Sequence, residues 1–180
     1  MKMLLHICCA PCALYPYFQL REEGVEPAGW FYNPNIHPYQ EYRKRLDTVK
    51  EFAARVGLEV SVRDGYDLDL FLLRTVGKGE LRCEHCYRIR LDAAALAARE
   101  KGLSAFTTSL LYSKYQKHDL IAGVGREAGA GHGVEFYYED FRRGWREGIV
   151  ESKAMGLYRQ QYCGCIYSER DRYRKAAASR

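Results

Sequence analysis

The chain has 180 residues, 47% of them hydrophobic and 28% charged, and a formal net charge of +5. A chain of this length and apolar content can bury about 70% of its unfolded surface as one domain, so it does not need a disulfide framework to stabilise it. No apolar run is long enough to span a bilayer, and residues 3–7 are too few for a signal-peptide core. The sequence therefore predicts one domain over residues 1–180, without a membrane partner, in the reducing cytoplasm.

Strand-like and helix-like patterns alternate along the chain. Strands are predicted over residues 3–7, 27–32, 58–62, 105–111 and 134–138. Helices are predicted over residues 13–23, 39–56, 67–75, 89–100 and 114–128, followed by a glycine-rich turn at 129–133 and a mostly helical end. Parallel strands need a connection long enough to hold a helix. The alternation therefore predicts a Rossmann-like α/β fold with a mostly parallel five-stranded sheet, helices on both faces and a basic, helical C-terminal region.

Cysteines are concentrated in three short segments, and their number is odd. The segments contain Cys8, Cys9 and Cys12, then Cys83 and Cys86, then Cys163 and Cys165. The first segment directly follows the first predicted strand, and ligands bind at the carboxyl ends of the strands in sheets of this kind. If the fold brings the three segments together, seven sulfur atoms share one place. In a reducing compartment such a group indicates metal ligation or dithiol chemistry.

Four of these sulfur atoms can form one metal site. Cys83 and Cys86 precede a predicted helix, whose first amide groups would stabilise their thiolates. With two cysteines of the first segment they could complete a tetrahedral zinc site. Adjacent cysteines on a regular strand point to opposite faces, however, and a polynuclear cluster tolerates the pair Cys8 and Cys9 better than a single ion does. Four sulfur atoms from these two segments, with either Cys8 and Cys9 or Cys9 and Cys12 as the first pair, are therefore predicted to hold a 4Fe-4S cluster.

The other cysteines suggest redox chemistry. Cys163 and Cys165 are separated by one glycine, so a disulfide between them would be strained and easily reduced. The pair is either a two-electron store or a pair of ligands for a further metal ion. Cys9 and Cys12 also match a thioredoxin-type dithiol. That alternative leaves the second and third segments without a role.

Positive charge is concentrated at the C-terminal end. Residues 142–180 contain ten Lys or Arg and four Asp or Glu, whereas the preceding 141 residues carry a net charge of −1. Aromatic residues alternate with the basic ones in this stretch, a mixture that suits phosphate binding and stacking on unpaired bases. The alternative interpretation is a solvated amphipathic helix.

Five motifs occur in order along nearly the whole chain. They are His6-Ile-Cys-Cys-Ala-Pro-Cys12, Phe31-Tyr-Asn-Pro-Asn-Ile-His-Pro38 leading to Tyr42, Arg82-Cys-x-x-Cys86 with Arg90, Thr108-Ser109-Leu110 with Ser113, and Tyr158-Arg-Gln-Gln-Tyr-Cys-Gly-Cys165-Ile-Tyr-Ser168. Together they resemble the QueH-type epoxyqueuosine reductases. Each motif alone is weak, whereas their joint occurrence is highly specific.

The resemblance implies the last step of queuosine biosynthesis, in which the epoxide oxygen of epoxyqueuosine is removed at the wobble position of a tRNA anticodon. It implies a fold similar to the HUP class, an additional iron near the cluster, and an electron donor that the sequence does not identify. Cys12, with Cys163 or Cys165, is our hypothesis for the ligands of that iron. The resemblance also implies a 4Fe-4S cluster on Cys8, Cys9, Cys83 and Cys86 and a redox-active pair at Cys163 and Cys165.

The same resemblance directs the choice of substrate residues. The candidates for binding the modified nucleoside are Tyr32, Asn33, His37, Arg82, Ser109 and Tyr162, and three of them, Tyr32, His37 and Tyr162, are candidate proton donors. The candidates for tRNA contact are Arg142, Arg143, Arg146, Arg159 and Arg170, with Tyr158 or Tyr162 as stacking residues. A zinc-stabilised RNA-binding domain and a thioredoxin-like thiol oxidoreductase are the alternative functions.

Overall fold

The computed structural model describes residues 1–63 and 65–178, with side chains as far as residue 174. These residues form five strands: β1 (Lys2–His6), β2 (Glu26–Phe31), β3 (Val60–Val62), β4 (Ala105–Thr108) and β5 (Glu135–Phe136). They also form seven α-helices: α1 (Ala10–Glu22), α2 (Tyr39–Val56), α3 (Leu68–Thr75), α4 (Arg82–Glu100), α5 (His118–His132), α6 (Trp145–Ala154) and α7 (Ile166–Ala178). None of the described helices combines the length and apolar composition that a bilayer crossing requires.

The strands form one parallel sheet in the order β3-β2-β1-β4-β5. The predicted Rossmann-like α/β fold is therefore confirmed. β1 is central, and it pairs with β2 through Leu4 and Ala28 and with β4 through Leu4 and Phe106. The chain winds one way from β1 to β3 and the other way from β4 to β5, so the strand order reverses between β1 and β4. A crevice for ligands is expected beyond the carboxyl ends of those two strands.

Helices cover both faces of the sheet. α1 packs against α2 and α6, whereas α4 packs against α5 and α3. Right-handed crossovers place these two groups on opposite faces, because the connections on the two sides of β1 run in opposite directions. Residues 3–6 of the central strand and Ile7 after it are entirely buried, and the alanines at 94, 95 and 98 on α4 are buried as well. This core fixes the edge of the sheet where β1 and β4 end.

The second cysteine segment lies inside a helix rather than before one. The predicted helix over residues 89–100 begins seven residues earlier, at Arg82. Cys83 and Cys86 therefore occupy the first two turns of α4, and their amide groups belong to the helix itself. Two cysteines three residues apart on one helix lie on the same side of it, so Cys83 and Cys86 can still face one metal centre.

Other boundaries also differ from the prediction, most clearly those of β4 and α5. The strand expected over residues 105–111 stops at Thr108, where the chain turns into a short 3₁₀ helix, Ser109–Tyr112. The helix expected over residues 114–128 runs from His118 to His132, through the predicted glycine-rich turn. Gly129 lies within this helix. The position requires glycine because a Cβ atom there would lie 2.6 Å from the Val134 carbonyl oxygen. That glycine serves close packing rather than a turn.

Candidate metal and redox centre

The ends of β1 and β4 are joined by side chains at the point where the strand order reverses. The amide of Cys8 donates to Ser109 Oγ at 3.0 Å, and the same hydroxyl donates to Cys8 Sγ at 3.3 Å. His6 Nδ1 lies 2.8 Å from Thr108 Oγ1. Burial lowers the pKa of His6 to about 4, so its imidazole is neutral at pH 7. These contacts hold the first cysteine segment at the expected ligand-binding edge.

Three sulfur atoms lie together at this edge. Those of Cys8, Cys9 and Cys12 are all within 4.8 Å of one another, and Cys9 caps the N-terminus of α1. The pKa of Cys8 falls well below its usual range because Cys12 and Cys9 donate hydrogen bonds to its sulfur, whereas burial raises the pKa of Cys9. The sulfur atoms of Cys8 and Cys9 are 3.8 Å apart. Two thiolates on one tetrahedral ion are also about 3.8 Å apart, given metal–sulfur bonds of about 2.3 Å.

The second segment meets the first at a buried arginine. Arg90, on α4, is 1% exposed and donates from Nη2 to Cys86 Sγ at 3.3 Å. Burial raises the pKa of Cys86 to about 12. The positive charge of Arg90 also interacts with the sulfur atoms of Cys8 and Cys163. One cysteine of each segment therefore lies within electrostatic range of the same guanidinium group, and Cys86 contacts it directly.

A buried arginine on α2 holds the third segment. Arg45 donates from Nη1 to the Cys163 carbonyl oxygen at 2.9 Å and from Nη2 to the Tyr162 carbonyl oxygen at 3.0 Å. Its Nε forms an ion pair with Glu41 at 2.7 Å. The amide of His37 donates to the Gly164 carbonyl oxygen at 2.8 Å. The hydroxyl of Tyr162 donates to the His37 carbonyl oxygen, which locks the Cys163-Gly164-Cys165 loop against residues 33–37.

Two glutamines that the sequence did not indicate also contact the sulfur atoms. Gln160 Nε2 donates to Cys9 Sγ at 2.9 Å and lies 3.5 Å from Cys12 Sγ. Gln116 Nε2 donates to Cys163 Sγ at 3.2 Å, while its Oε1 accepts a 2.7 Å hydrogen bond from the Tyr87 hydroxyl. Glutamines in loops form no recognisable spacing, so only the three-dimensional arrangement reveals them.

Four of the six predicted substrate residues make contacts close to the first or third cysteine segment, and one of them, Ser109, contacts a sulfur atom. Ser109 and Tyr162 make the contacts given above. Asn33 donates from Nδ2 to the Ile7 carbonyl oxygen at 2.9 Å, and His37 contacts the Pro34 carbonyl oxygen through Nε2. Within residues 1–63 and 65–174, several buried polar atoms of this region have no hydrogen-bond partner. They are Asn33 Oδ1, Asn35 Oδ1 and Nδ2, His37 Nδ1 and Gln160 Oε1.

The other two predicted substrate residues are engaged elsewhere. Arg82 forms an ion pair with Asp171 at 3.1 Å and lies over the Tyr167 ring, so it fastens α4 to α7. The ring of Tyr32 lies beneath the guanidinium of Arg63, 4.7 Å from its central carbon. Neither contact involves a sulfur atom.

The predicted RNA-binding arginines divide into two groups. Arg142 pairs with Asp140, Arg143 with Glu139 and Glu23, and Arg170 with Asp171. Within the described part of the chain, Arg146 and Arg159 make no ion pair. The two tyrosines predicted to stack on bases are held by hydrogen bonds. The hydroxyl of Tyr158 donates to Glu41, and that of Tyr162 donates to the His37 carbonyl oxygen. The end of the basic stretch, residues 175–180, lies outside the described side chains.

A parallel, doubly wound sheet with cysteines from three segments at its topological switch point defines a thiol-rich, Rossmann-like α/β protein. A family model described as "Epoxyqueuosine reductase QueH" matches residues 3–171. The epoxyqueuosine reductase QueH of Dehalococcoides mccartyi is 35% identical over 174 residues, covering 97% of this chain and 96% of that protein. The QueH of Thermotoga maritima is 36% identical over 185 residues, covering 97% and 94%. The chain belongs to the epoxyqueuosine reductase QueH family and is an oxidoreductase.

Two solved structures share the fold at low sequence identity. The U34-tRNA thiolase NcsA from Methanococcus maripaludis, solved with its [4Fe-4S] cluster, aligns with a TM-score of 0.58 at 17% identity. The alignment covers 93% of this chain and 61% of that protein. A predicted tRNA methyltransferase subunit from Methanocaldococcus jannaschii aligns with a TM-score of 0.54 at 12% identity, covering 84% and 74%. At these identities the likeness concerns the fold alone.

Proposed function

We propose that this chain reduces epoxyqueuosine to queuosine at the wobble position of tRNA, with an iron-sulfur cluster and a cysteine pair at the switch point. The observations that carry the proposal are the group of three sulfur atoms at the switch point and the contact of Arg90 with Cys86, within electrostatic range of Cys8 and Cys163, in a member of the QueH family. The ligands we assign to the 4Fe-4S cluster are Cys8, Cys9, Cys83 and Cys86.

The surroundings of the sulfur atoms fit a negatively charged, sulfur-ligated centre. Among the described residues, six of the seven sulfur atoms accept a hydrogen bond from a protein donor, and Cys83 is the exception. Arg90 is buried, and among the described residues it has no carboxylate partner. An uncompensated buried guanidinium costs several kcal/mol, so thiolate charge is the compensation that the site offers. This donor set suits iron ligated by cysteine, whose redox properties depend on hydrogen bonds to sulfur.

The reaction needs two electrons and two protons. Both carbon–oxygen bonds of the epoxide break, a carbon–carbon double bond forms, and the oxygen leaves as water. Oxidation of Cys163 and Cys165 from dithiol to disulfide releases that number of electrons and protons. A separate electron donor must then reduce the disulfide again. A 4Fe-4S cluster supplies electrons one at a time.

An additional iron is the alternative use of the third cysteine pair. Cys12 with Cys163 or Cys165 would hold it, and a Lewis acid at that place would polarise the epoxide oxygen. A sulfur atom cannot be in a disulfide and on a metal at once, so the two uses exclude each other at any moment. The close group of Cys8, Cys9 and Cys12 supports a position for this iron beside the cluster.

Side chains around the third segment are suited to bind the nucleoside and move protons. Burial raises the pKa of Tyr162 to about 12, so its hydroxyl remains a proton donor at neutral pH. Burial lowers the pKa of His37, which keeps that imidazole neutral. The unpaired polar atoms of Asn33, Asn35 and Gln160 are available for the hydroxyl groups of the substrate. Arg146 and Arg159 are available for RNA phosphates, and a tRNA substrate implies that the enzyme works in the cytoplasm.

The test is turnover of epoxyqueuosine-containing tRNA by anaerobically purified protein with a chemical reductant, followed by nucleoside analysis. Wild-type protein should contain about four irons with matching sulfide and convert epoxyqueuosine in the tRNA to queuosine. Cys83→Ala should lose both iron and turnover, whereas Cys163→Ala should keep the cluster and lose turnover. Colourless zinc protein would support the RNA-binding alternative, and metal-free protein with dithiol activity would support the thioredoxin-like one.

A further inference from the structure

Three aromatic rings form a ladder from the sulfur site to the surface. Tyr112 is 3% exposed, Trp145 is half-buried, and Tyr115 is 86% exposed. The ring centroids of Tyr112 and Trp145 are 5.2 Å apart, and those of Trp145 and Tyr115 are 5.6 Å apart at 78°. The two rings meet edge to face, and at 86% exposure most of the Tyr115 ring remains open. Such an exposed aromatic residue contributes nothing to the core.

Both ends of the ladder adjoin the cysteines. Tyr112 ends the 3₁₀ helix that begins at Ser109, whose hydroxyl donates to Cys8 Sγ, and the Tyr112 hydroxyl donates to the Trp145 carbonyl oxygen at 3.0 Å. Tyr115 directly precedes Gln116, which donates to Cys163 Sγ. A ligand that covers Tyr115 would therefore extend from the third cysteine segment.

The charge around the exposed rings is positive. Lys114 Nζ lies 5.9 Å from the centroid of the Trp145 ring, and Arg146 follows that tryptophan at the start of α6. In the described part of the chain, neither cation forms an ion pair. Glu147 is the carboxylate next in the chain. Exposed aromatic faces beside unpaired cations are the combination that binds single-stranded nucleic acid, since bases stack and phosphates attract Lys and Arg.

We propose that Tyr115 and Trp145 form a stacking platform for an unpaired base next to the target nucleotide, with Lys114 and Arg146 contacting the RNA backbone. The inference rests on the proposed function, because it takes the anticodon loop as the ligand. It replaces Tyr158 and Tyr162 as the stacking residues, since their hydroxyl groups are held inside the site. An RNA loop carries exposed bases and phosphates together, which matches both features of this surface.

The platform is tested by the fluorescence anisotropy of an anticodon stem-loop RNA carrying epoxyqueuosine. Tyr115→Ala should weaken binding about 5- to 150-fold, the loss typical of one base–aromatic stack, while Tyr115→Phe should bind as the wild type does. Lys114→Ala should make the negative slope of log affinity against log salt less steep by about 0.7, because one phosphate contact is lost. Tyr115→Ala should leave that slope unchanged. Iron content should stay at the wild-type level in all three variants.

A matched control and a duplex RNA separate stacking from general RNA affinity. Tyr173→Ala removes an exposed tyrosine from basic α7 and should not change the affinity. A fully paired RNA of equal length should bind Tyr115→Ala and wild type equally. If Tyr115→Ala binds the stem-loop as tightly as the wild type does, and the wild type reduces that RNA, the stacking platform is wrong and the proposed function stands. If wild-type protein with a full cluster neither binds nor reduces the RNA, both are wrong.

Discussion

The buried guanidinium of Arg45 donates a 2.9 Å hydrogen bond to the carbonyl oxygen of Cys163, which is 118 positions away in the chain. A helix that belongs to the scaffold thus fixes the backbone of a reactive loop. Glu41 forms an ion pair with the arginine, and both side chains lie almost entirely inside the protein. The protein itself therefore positions the loop, as the proposed redox role of Cys163 and Cys165 would require.

Arg45→Lys should impair the loop while keeping the charge. An ammonium group can still pair with Glu41, but it cannot reach the carbonyl oxygens of both Cys163 and Tyr162. We expect the free energy of unfolding to fall by about 1–3 kcal/mol and turnover to fall more than tenfold, with iron content kept. Urea unfolding, turnover and iron analysis measure these effects. The control is Arg43→Lys, an exposed neighbour whose replacement should change stability by less than about 0.5 kcal/mol. Wild-type turnover in Arg45→Lys would contradict the proposal that Arg45 positions the loop at Cys163 for the reaction.

Gly164→Ala should displace the same loop from the other side. The backbone of Gly164 has a φ of +138°, and a Cβ atom there would lie 3.1 Å from Asn35 Nδ2 and 3.2 Å from Arg45 Nη1. A side chain at this φ is strained by about 1–3 kcal/mol, so we expect a corresponding loss of stability together with lower turnover. The matched change Gly131→Ala, in a helix with open space around it, should be neutral or slightly stabilising. Equal unfolding free energies for the two variants would refute this account.

Cys12→Ser distinguishes a cluster ligand from a neighbour of the cluster. If Cys8, Cys9, Cys83 and Cys86 hold the four irons, the variant should retain about four irons with matching sulfide and lose any iron in excess of sulfide. The measurement is iron and acid-labile sulfide per chain after anaerobic purification. Cys9→Ser is the control and should lose the whole cluster. Loss of all iron from Cys12→Ser would instead identify Cys12 as a cluster ligand.

His118 should make stability dependent on pH. Burial lowers the pKa of its imidazole below the ordinary 6.5, and the Arg142 charge adds to this, while Asp140 and Asp119 oppose it. The unfolded chain therefore binds a proton that the folded chain does not, so this contribution is complete above pH 6.5 and is lost as pH falls through that value. His118→Gln can keep a hydrogen bond to Tyr138 without ionising. Urea unfolding at pH 7.5 and 5.5 should show a smaller difference in the variant, and an equal difference would exclude His118 as the cause.

The parallel five-stranded sheet and the position of the first cysteine segment followed from the sequence, whereas the strand order did not. Alternating strand and helix patterns predict a parallel sheet because each parallel connection requires a crossover, and residues after a strand lie at its carboxyl edge. The predicted first and last residues of the helices were less accurate than the predicted fold class. The start of α4 at Arg82 was missed, since no cap residue or proline marks it, and the extension of α5 through Gly129 depends on close packing against the Val134 carbonyl oxygen.

The sequence by itself determined the fold class, the family and the identity of the seven sulfur atoms, because these depend on local patterns and on motifs read in order. Only the tertiary structure decided which side chains surround the sulfur atoms and which arginines are free of ion pairs. The contacts of Gln116 with Cys163 and of Gln160 with Cys9, and the electrostatic interactions of Arg90 with Cys8 and Cys163, join residues that have no spacing relationship in the chain. Hydrogen bonds and charges act through space over a few ångströms, so they depend on how the sheet brings distant loops to one edge.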